Sequence, residues 1–551
     1  MKRAFRYDDK DFEELIPDPE DSEGENSAID FMENYQNCSV TENGALGYAT
    51  SGHSLVDLNF MVSSLRSREE EFIVKNFIKA YYESPEYAVK WLFFLRDISQ
   101  GLGERRTFRI CMKYMADSHR EIAAAVMGLI PEYGRYDDLL IFLDTDLKKE
   151  VCGLLKKQLD KDLLAMKENR PVSLLAKWLP SINTSSRETR GKARCLAGRF
   201  GMTPREYRKI LSELRARLHV TEVKMSASRW DEIDYTKVPA KASMKYQNVF
   251  LRHDKERRWD YLLNVASGQV KLNIRGIMPY EPVRRLMGTG RYYGGAIKDD
   301  LLSELMWQQI CRDGFQNDWG LEDCIVVADG SGSMYSYPED VFSATAIEIC
   351  NGLAIYFASQ LKGVFHDKVI TFSATPQFID LGKGRTLKEK LEIMMAHHEV
   401  ANTNIEAVFD MLLAMACSKK IPREEMPGQV LVISDMEFDA ATAPVSVSAS
   451  AGEDIRSSWK KFTPALFDEI EQRYKKAGYR MPRLIFWNVC GRSDTIPKVK
   501  NDEGICLLSG FSQNAVRVAA HREVKDPYES LRKVLDGPRY EKVGKAIAGL
   551  V

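Results

Sequence analysis

Cys324-Ile325-Val326-Val327-Ala328-Asp329-Gly330-Ser331-Gly332-Ser333-Met334 is an uninterrupted apolar run that stops on an aspartate and turns into glycine and serine. Five apolar residues with no polar alternation read as a strand buried on both faces, the mark of a mostly parallel sheet covered by helices. Outward from it, Val341 to Leu361 reads as a long helix, and Lys368 to Phe372 and Gln377 to Leu381 as paired short strands. Leu387 to Ala396 and Ile405 to Cys417 read as helices. Val430-Leu431-Val432-Ile433 and Leu484 to Val489 are further buried strands, with an Ala/Ser/Val-rich loop at Ala440 to Ala451 between them. Alternation of this kind predicts a doubly wound, Rossmann-like α/β domain over residues 323–551.

Upstream the hydrophobic period changes. Between about Leu55 and Leu286 apolar residues recur at helical spacing, as Val151, Leu154, Leu155, Leu159 and Leu163 do. Thr203-Pro204-Arg205-Glu206 marks a helix start: Thr203 caps, Pro204 suits the first turn, and Glu206 reaches back. Tyr207, Ile210, Leu211, Leu214 and Leu218 form the apolar stripe of that helix. Many helices joined by short turns, with no clean repeat period, predict a degenerate all-α repeat array over residues 41–300. Residues 301–322 then read as a linker. Residues 1–60 carry 4 basic and 14 acidic side chains, so residues 1–40 read as a flexible acidic arm.

The totals exclude several classes. A chain of 551 residues with net charge -1 is long enough for more than one domain, and its overall charge favours no partner. The ten cysteines are scattered, without zinc or disulfide spacing, which favours a reducing compartment. The N-terminal stretch has no apolar core of a secretory signal, and no apolar run approaches the ~18–20 residues of a membrane span. The reading is a cytoplasmic protein with no membrane partner. Nor is there a nucleophile–base pattern, so no enzyme is expected. Gly101-Leu102-Gly103-Glu104-Arg105-Arg106 lacks the lysine and hydroxyl of a phosphate loop and reads as a turn into a helix near Glu104. His397 and His398 read as part of a solvated loop.

Asp329-Gly330-Ser331-Gly332-Ser333 matches D-x-S-x-S and so resembles the metal-ion-dependent adhesion site (MIDAS) of von Willebrand factor A domains. Thr403, in Ala401-Asn402-Thr403-Asn404, and Asp435, in Leu431-Val432-Ile433-Ser434-Asp435, stand where that site has its threonine and second aspartate. The resemblance implies that Asp329, Ser331, Ser333, Thr403 and Asp435 hold Mg2+ or another divalent cation, leaving one position for a ligand oxygen. Hydroxyl and carboxylate oxygens suit such a hard ion. Topology agrees: ligands of doubly wound sheets bind beyond the carboxyl ends of the strands where strand order reverses.

The order of parts, helices first and A domain last, resembles the TROVE family of ribonucleoprotein components. Its HEAT-like repeats form a ring that an A domain closes. Cys506-Leu507-Leu508-Ser509-Gly510-Phe511-Ser512 and Asn514-Ala515-Val516 are similar to the end of that family's A domain. The family implies structured RNA on the outer surface and single-stranded RNA in the central hole. The N-terminal part also resembles a related domain-of-unknown-function family, through Thr41-Glu42-Asn43-Gly44-Ala45, Arg96-Asp97-Ile98 with Gly101 to Arg106, Tyr133-Gly134-Arg135-Tyr136-Asp137-Asp138, and Ala176-Lys177-Trp178-Leu179-Pro180-Ser181. This sequence departs from the Ro-type pattern where Thr403 follows Ala-Asn rather than Gly-Gly.

Residues 161–300 hold 29 basic and 15 acidic side chains. Arg187, Arg190, Lys192, Arg194, Arg205, Arg208, Lys209, Lys245, Arg257 and Arg258 are candidate RNA contacts, with Tyr246, Trp259 and Tyr261 interleaved. Cations neutralise phosphates and aromatics stack on unpaired bases. The same pattern also fits solvated helix faces with the aromatics in the core. The two function classes that follow are a non-enzymatic RNA-binding scaffold and a protein-interaction adaptor whose ion takes an acidic residue of a partner. The compartment reading makes one prediction: alkylation of the protein unfolded in denaturant without reductant, followed by mass spectrometry, modifies all ten cysteines. Several protected cysteines would overturn it.

Overall fold

The computed structural model describes residues 38–40, 46–48, 50–288, 296–314, 323–335, 344–373, 375–398, 405–436, 464–490, 505–519 and 526–551. The acidic arm to residue 37, Thr403 and the Ala440–Ala451 loop lie outside the described residues.

A short antiparallel hairpin, β1 (Cys38–Val40) and β2 (Leu46–Tyr48), precedes a long series of helices. The C-terminal part is built on one six-stranded sheet, comprising β3 (Cys324–Asp329), β4 (Lys368–Phe372), β5 (Phe378–Asp380), β6 (Gln429–Ser434), β7 (Arg483–Asn488) and β8 (Ile505–Ser509). Its order is β5-β4-β3-β6-β7-β8, parallel except for the β4–β5 pair. Strand order reverses between β3 and β6. Both of those strands are buried along their whole length, which is why they read as unbroken apolar runs. The helix Ala346–Gln360 is buried on nearly every side, between the sheet and the helix Tyr280–Met287. Gly352 makes that approach achievable, since a Cβ there would stand 2.6 Å from Tyr280 Cα.

Local signals in the helical part hold. Pro204–Arg217 is a helix with the full capping box: Thr203 N donates to Glu206 Oε2 at 2.8 Å and Glu206 N to Thr203 Oγ1 at 3.2 Å. The structure differs from the expected linker, because Leu301–Gly314 is a helix. Leu302, Leu305, Met306 and Ile310 are its buried stripe, and Gly314 closes against Tyr356, whose hydroxyl would lie 2.4 Å from a Cβ there. The turn at Gly101 leads into a helix at Arg106–Ser118, slightly later than expected.

The helical series begins and ends on the sheet part. At its start, Ser63 Oγ donates to Asn488 O at 2.9 Å and accepts from Gly510 N at 2.9 Å, and Ser63 N donates to Ser509 Oγ at 3.0 Å. Ser512 Oγ and Asn514 Nδ2 both donate to Gly101 O. Gly101 itself admits no side chain, since a Cβ would sit 2.0 Å from Phe94 O. At its end, Tyr280 packs edge-on against Phe511, whose ring also carries the Arg66 guanidinium 3.5 Å from its centroid.

The Arg-Asp-Ile stretch works in two directions. Arg96 Nε donates to Asp138 at 2.8 Å, where Arg109 Nε and Arg135 N also converge at 2.7 and 2.9 Å. Asp97 faces the other way and is 0% exposed. Arg539 clasps it with Nε at 2.7 Å and Nη2 at 3.1 Å, and Tyr133 Oη donates to Arg539 O at 2.6 Å. The hydrogen bond with Asp97 pushes the Arg539 pKa above its ordinary value. Removing one partner of a buried pair strands the other's charge, at a cost of about 3–5 kcal/mol. Arg539→Ala is therefore expected to lower the denaturation midpoint strongly, while Lys542→Ala, at the exposed pair with Glu132, changes it little. Equal effects in urea melts would refute the closure role of Asp97.

Candidate functional site

Asp329 ends β3 and Asp435 follows β6, on neighbouring parallel strands with Ala328 level with Ile433. Both carboxylates are buried, at 1% and 2% exposure. Ser434 Oγ donates to Asp329 Oδ2 at 2.5 Å, and Ser331 N donates to Asp329 Oδ1 at 2.8 Å. The Ser331 and Ser333 hydroxyls lie 3.1 Å apart. Burial and then the Asp329 and Asp435 charges push the Cys350 thiol up, and its Sγ lies 3.4 Å from Ile433 O on β6. Four of the five residues named from the sequence are thus gathered at one strand-order reversal; the fifth, Thr403, lies outside the described residues. Among the described residues no three His, Cys, Asp or Glu side chains form a group able to hold a metal. Any cation at this edge would depend on serine oxygens together with the two carboxylates.

His398 corrects an expectation. It is no solvated loop residue but 4% exposed, with Nδ1 3.0 Å from the Tyr335 hydroxyl. Gly330 opens the space that the ring fills, and desolvation there pulls the His398 pKa down to about 4. His397 is half-buried, its Nδ1 2.8 Å from Ile393 O. Ser434 and His398 were both missed as site residues. Ser434 had a local signal, since it stands directly before Asp435; His398 had only its nearness in sequence to Thr403.

The second feature is an open-mouthed cavity of about 1660 Å3 lined by segments from both the helical part and the sheet part. Its wall takes Arg96, Arg105 and Arg135 from the first helices, Lys177, Trp178 and Arg215 from the middle, and Lys241, Lys245, Lys271 and Arg275 from the late helices. Ser512 to Asn514 and Arg517 come from the sheet part. Ten lining side chains are Lys or Arg, against Glu222 and Asp313. Asp313 already lies 3.8 Å from Lys271. Desolvation, then the Arg135 and Arg109 charges, pull the Arg105 pKa below its ordinary value. Burial leads that shift, and the neighbouring guanidinium charges add to it. No carboxylate among the described residues pairs with Arg105, Lys177, Lys245 or Arg275. Half-buried Trp178 presents its ring to Arg135, 4.0 Å from the centroid, with Lys177 Nζ at 5.3 Å. Arg215 is fixed by the carbonyls of Ala176 and Leu179, each at 2.8 Å.

Of the ten basic residues named from the sequence, Lys245 lines this cavity. Arg187, Arg194, Arg205, Arg208 and Lys209 are exposed elsewhere, Arg190 is half-buried, and Lys192 pairs with Glu188 at 2.8 Å. Arg257 holds the carbonyls of Trp230 and Ile233, at 2.9 and 2.7 Å. Arg258 is 0% exposed, bonded to Gln247 and Ser243 among the rings of Tyr235, Phe250 and Tyr261. A guanidinium so enclosed is a core residue and offers nothing to a phosphate. Of the interleaved aromatics, Tyr246 is half-buried at the cavity wall and Tyr261 is in the core. Arg105, Arg135, Lys177 and Trp178 line the cavity and were not among the residues named from the sequence, although each falls within a stretch that carries the family resemblance.

Two family models match, each described as a domain of unknown function: DUF2828 over residues 41–134 and 201–313, and DUF7788 over residues 323–545. Among solved structures, the Ro (RSR) protein of Deinococcus radiodurans aligns over 84% of this chain and 94% of its own, at 15% identity and a TM-score of 0.40. An uncharacterized protein of Acanthamoeba polyphaga mimivirus, L728, is 30% identical over 543 residues, spanning 91% of this chain and 87% of that protein. With a relative matched along nearly its whole length, the chain belongs to the same family as mimivirus L728, and in it a DUF2828 region precedes a DUF7788 region.

Proposed function

We propose that this protein is a non-enzymatic RNA-binding scaffold that admits single-stranded RNA to its central cavity. The observation that carries the reading is the cavity wall, with ten basic side chains against two acidic ones and Trp178 and Tyr246 set among them. Arg96, Arg135, Lys241 and Lys271 already have carboxylate partners, so a phosphate chain would supply anions to Arg105, Lys177, Lys245 and Arg275, and aromatic faces accept bases without regard to sequence. The TROVE resemblance noted in the sequence agrees with this arrangement. Among the described residues no helix is long and apolar enough to cross a membrane.

The test is RNA binding across a salt series. Arg105→Glu with Lys177→Glu and Lys245→Glu is expected to weaken single-stranded binding and to flatten the log–log salt slope by about 2, from three lost phosphate contacts at about 0.7 each. Trp178→Ala removes one stacking platform and costs about 1–3 kcal/mol. Reversing Arg205, Arg208 and Lys209 together should spare single-stranded binding and reports on the outer surface instead. A parent protein that binds no RNA at low salt would end this reading in favour of the protein adaptor.

The same proposal assigns a divalent cation, Mg2+ first, to Asp329, Ser331, Ser333, Thr403 and Asp435, as in the MIDAS of von Willebrand A domains. The donor set is all oxygen, as magnesium requires. A bound ion would offer an open position to an oxygen ligand, and the chain's own part is to gather the serines and both carboxylates. Mg2+ is expected to raise the melting temperature of the parent and to leave Asp329→Ala unshifted, because only a ligand of the native state shifts the transition. The same shift in Asp329→Ala and Ser331→Ala would remove the assignment.

A further inference from the structure

His398 packs directly on the loop that would carry the ion, and it touches that loop at both ends. Gly330 stands between Asp329 and Ser331 in the chain. A Cβ built on it would lie 2.8 Å from His398 Cγ and 2.9 Å from Cδ2, well inside van der Waals contact. The imidazole therefore lies against the Gly330 backbone, and the glycine is required by that approach. At the other end, Tyr335 closes the short turn Gly332–Tyr335, which contains Ser333, and its hydroxyl meets His398 Nδ1 at 3.0 Å. Between the two contact points lie both serines, with their hydroxyls already 3.1 Å apart. His398 itself stands just past the helix Leu387–Ala396, five positions before Thr403 in the sequence.

We propose that His398 is a positioning residue for the cation site: its ring, wedged between Gly330 and Tyr335, sets where the Ser331 and Ser333 oxygens stand relative to Asp329 and Asp435. This rests on the cation reading of that loop. His398 is not placed among the ligands. It acts through the backbone of Gly330 and the hydroxyl of Tyr335, as outer-layer partners of metal ligands do, where substitution typically weakens metal affinity about 10- to 100-fold.

The experiment is Mn2+ binding to the full chain, followed by electron paramagnetic resonance and by calorimetry, with the ion-free melting temperature measured beside it. His398→Ala is expected to weaken Mn2+ binding by about tenfold or more. Tyr335→Phe, which deletes one hydroxyl and keeps the ring, should weaken it by less. Gly330→Ala should abolish or severely weaken binding, because the added methyl meets the imidazole. The decisive variant is Gly330→Ala combined with His398→Ala, in which the methyl enters the vacated space. It should bind Mn2+ more tightly than Gly330→Ala alone, which shows that the two residues act on the ion through one contact, and Mn2+ affinity lost in His398→Ala at a parent-like ion-free melting temperature is what a merely space-filling histidine would not produce. Should His398→Ala unfold the protein, His398→Gln keeps a polar group near Tyr335 and takes its place in the cycle. Parent-like binding by the His398 variants, or strictly additive losses in the double variant, overturns the positioning role. If the parent binds no Mn2+ and Asp329→Ala changes nothing, the cation reading fails and the positioning role falls with it. If the parent binds and Asp329→Ala does not, any normal behaviour of the His398 variants counts against positioning alone.

Discussion

Asp97 is a carboxylate with no solvent contact, answered by an arginine 442 positions further along the chain. A buried charge is tolerable only when its partner is held in place, and here the partner arrives from the last helices of the protein. That requirement ties the first helices to the last. Ser63 adds a neutral version of the same tie, meeting both Asn488 O and Gly510 N at the ends of β7 and β8. Because the late helices dock on the sheet part as well, the chain is drawn into a closed circuit, and the cavity lined from both parts follows from that closure. Arg105, Lys177 and Arg275 come from three distant stretches of sequence and share a wall only because the circuit is shut.

The sheet edge obeys a different logic. Asp329 and Asp435 are neighbours because β3 and β6 are, and those strands are adjacent because both are apolar enough to be buried in the middle of a parallel sheet. Ser434 then fixes one carboxylate from the adjacent strand. The same edge carries Asn488 and Ser509 at the ends of the next two strands, where Ser63 docks. The candidate ion site and the closure of the circuit therefore share one rim of one sheet.

These two features differ in how much of them could be read in advance. Cys324–Asp329 and Gln429–Ser434 were legible because burial on both faces leaves an apolar signature in consecutive residues, and the acids that follow them were legible with it. The helix start at Thr203 was legible because its cap is local. Which cations face inward was not legible, because that depends on how the helical series curves, a property of accumulated small angles between helices. Arg258 sits in a basic cluster by sequence, yet its cage of Tyr235, Phe250 and Tyr261 is assembled from three separate segments. His398 was misread for the same reason: the glycine that makes room for it lies 68 positions upstream in another loop.

Closure across the full length of the chain also bears on how the protein is made. On the ribosome the helix holding Asp97 emerges long before Arg539 exists. At about 5–20 residues per second, the 442 intervening residues take roughly 20–90 s to synthesise. Through that interval the surfaces around Asp97 and Ser63 must stay solvated or be held by other factors, because nothing yet covers them. A chain truncated before its last helices therefore leaves Asp97 with no arginine to meet it and the circuit open.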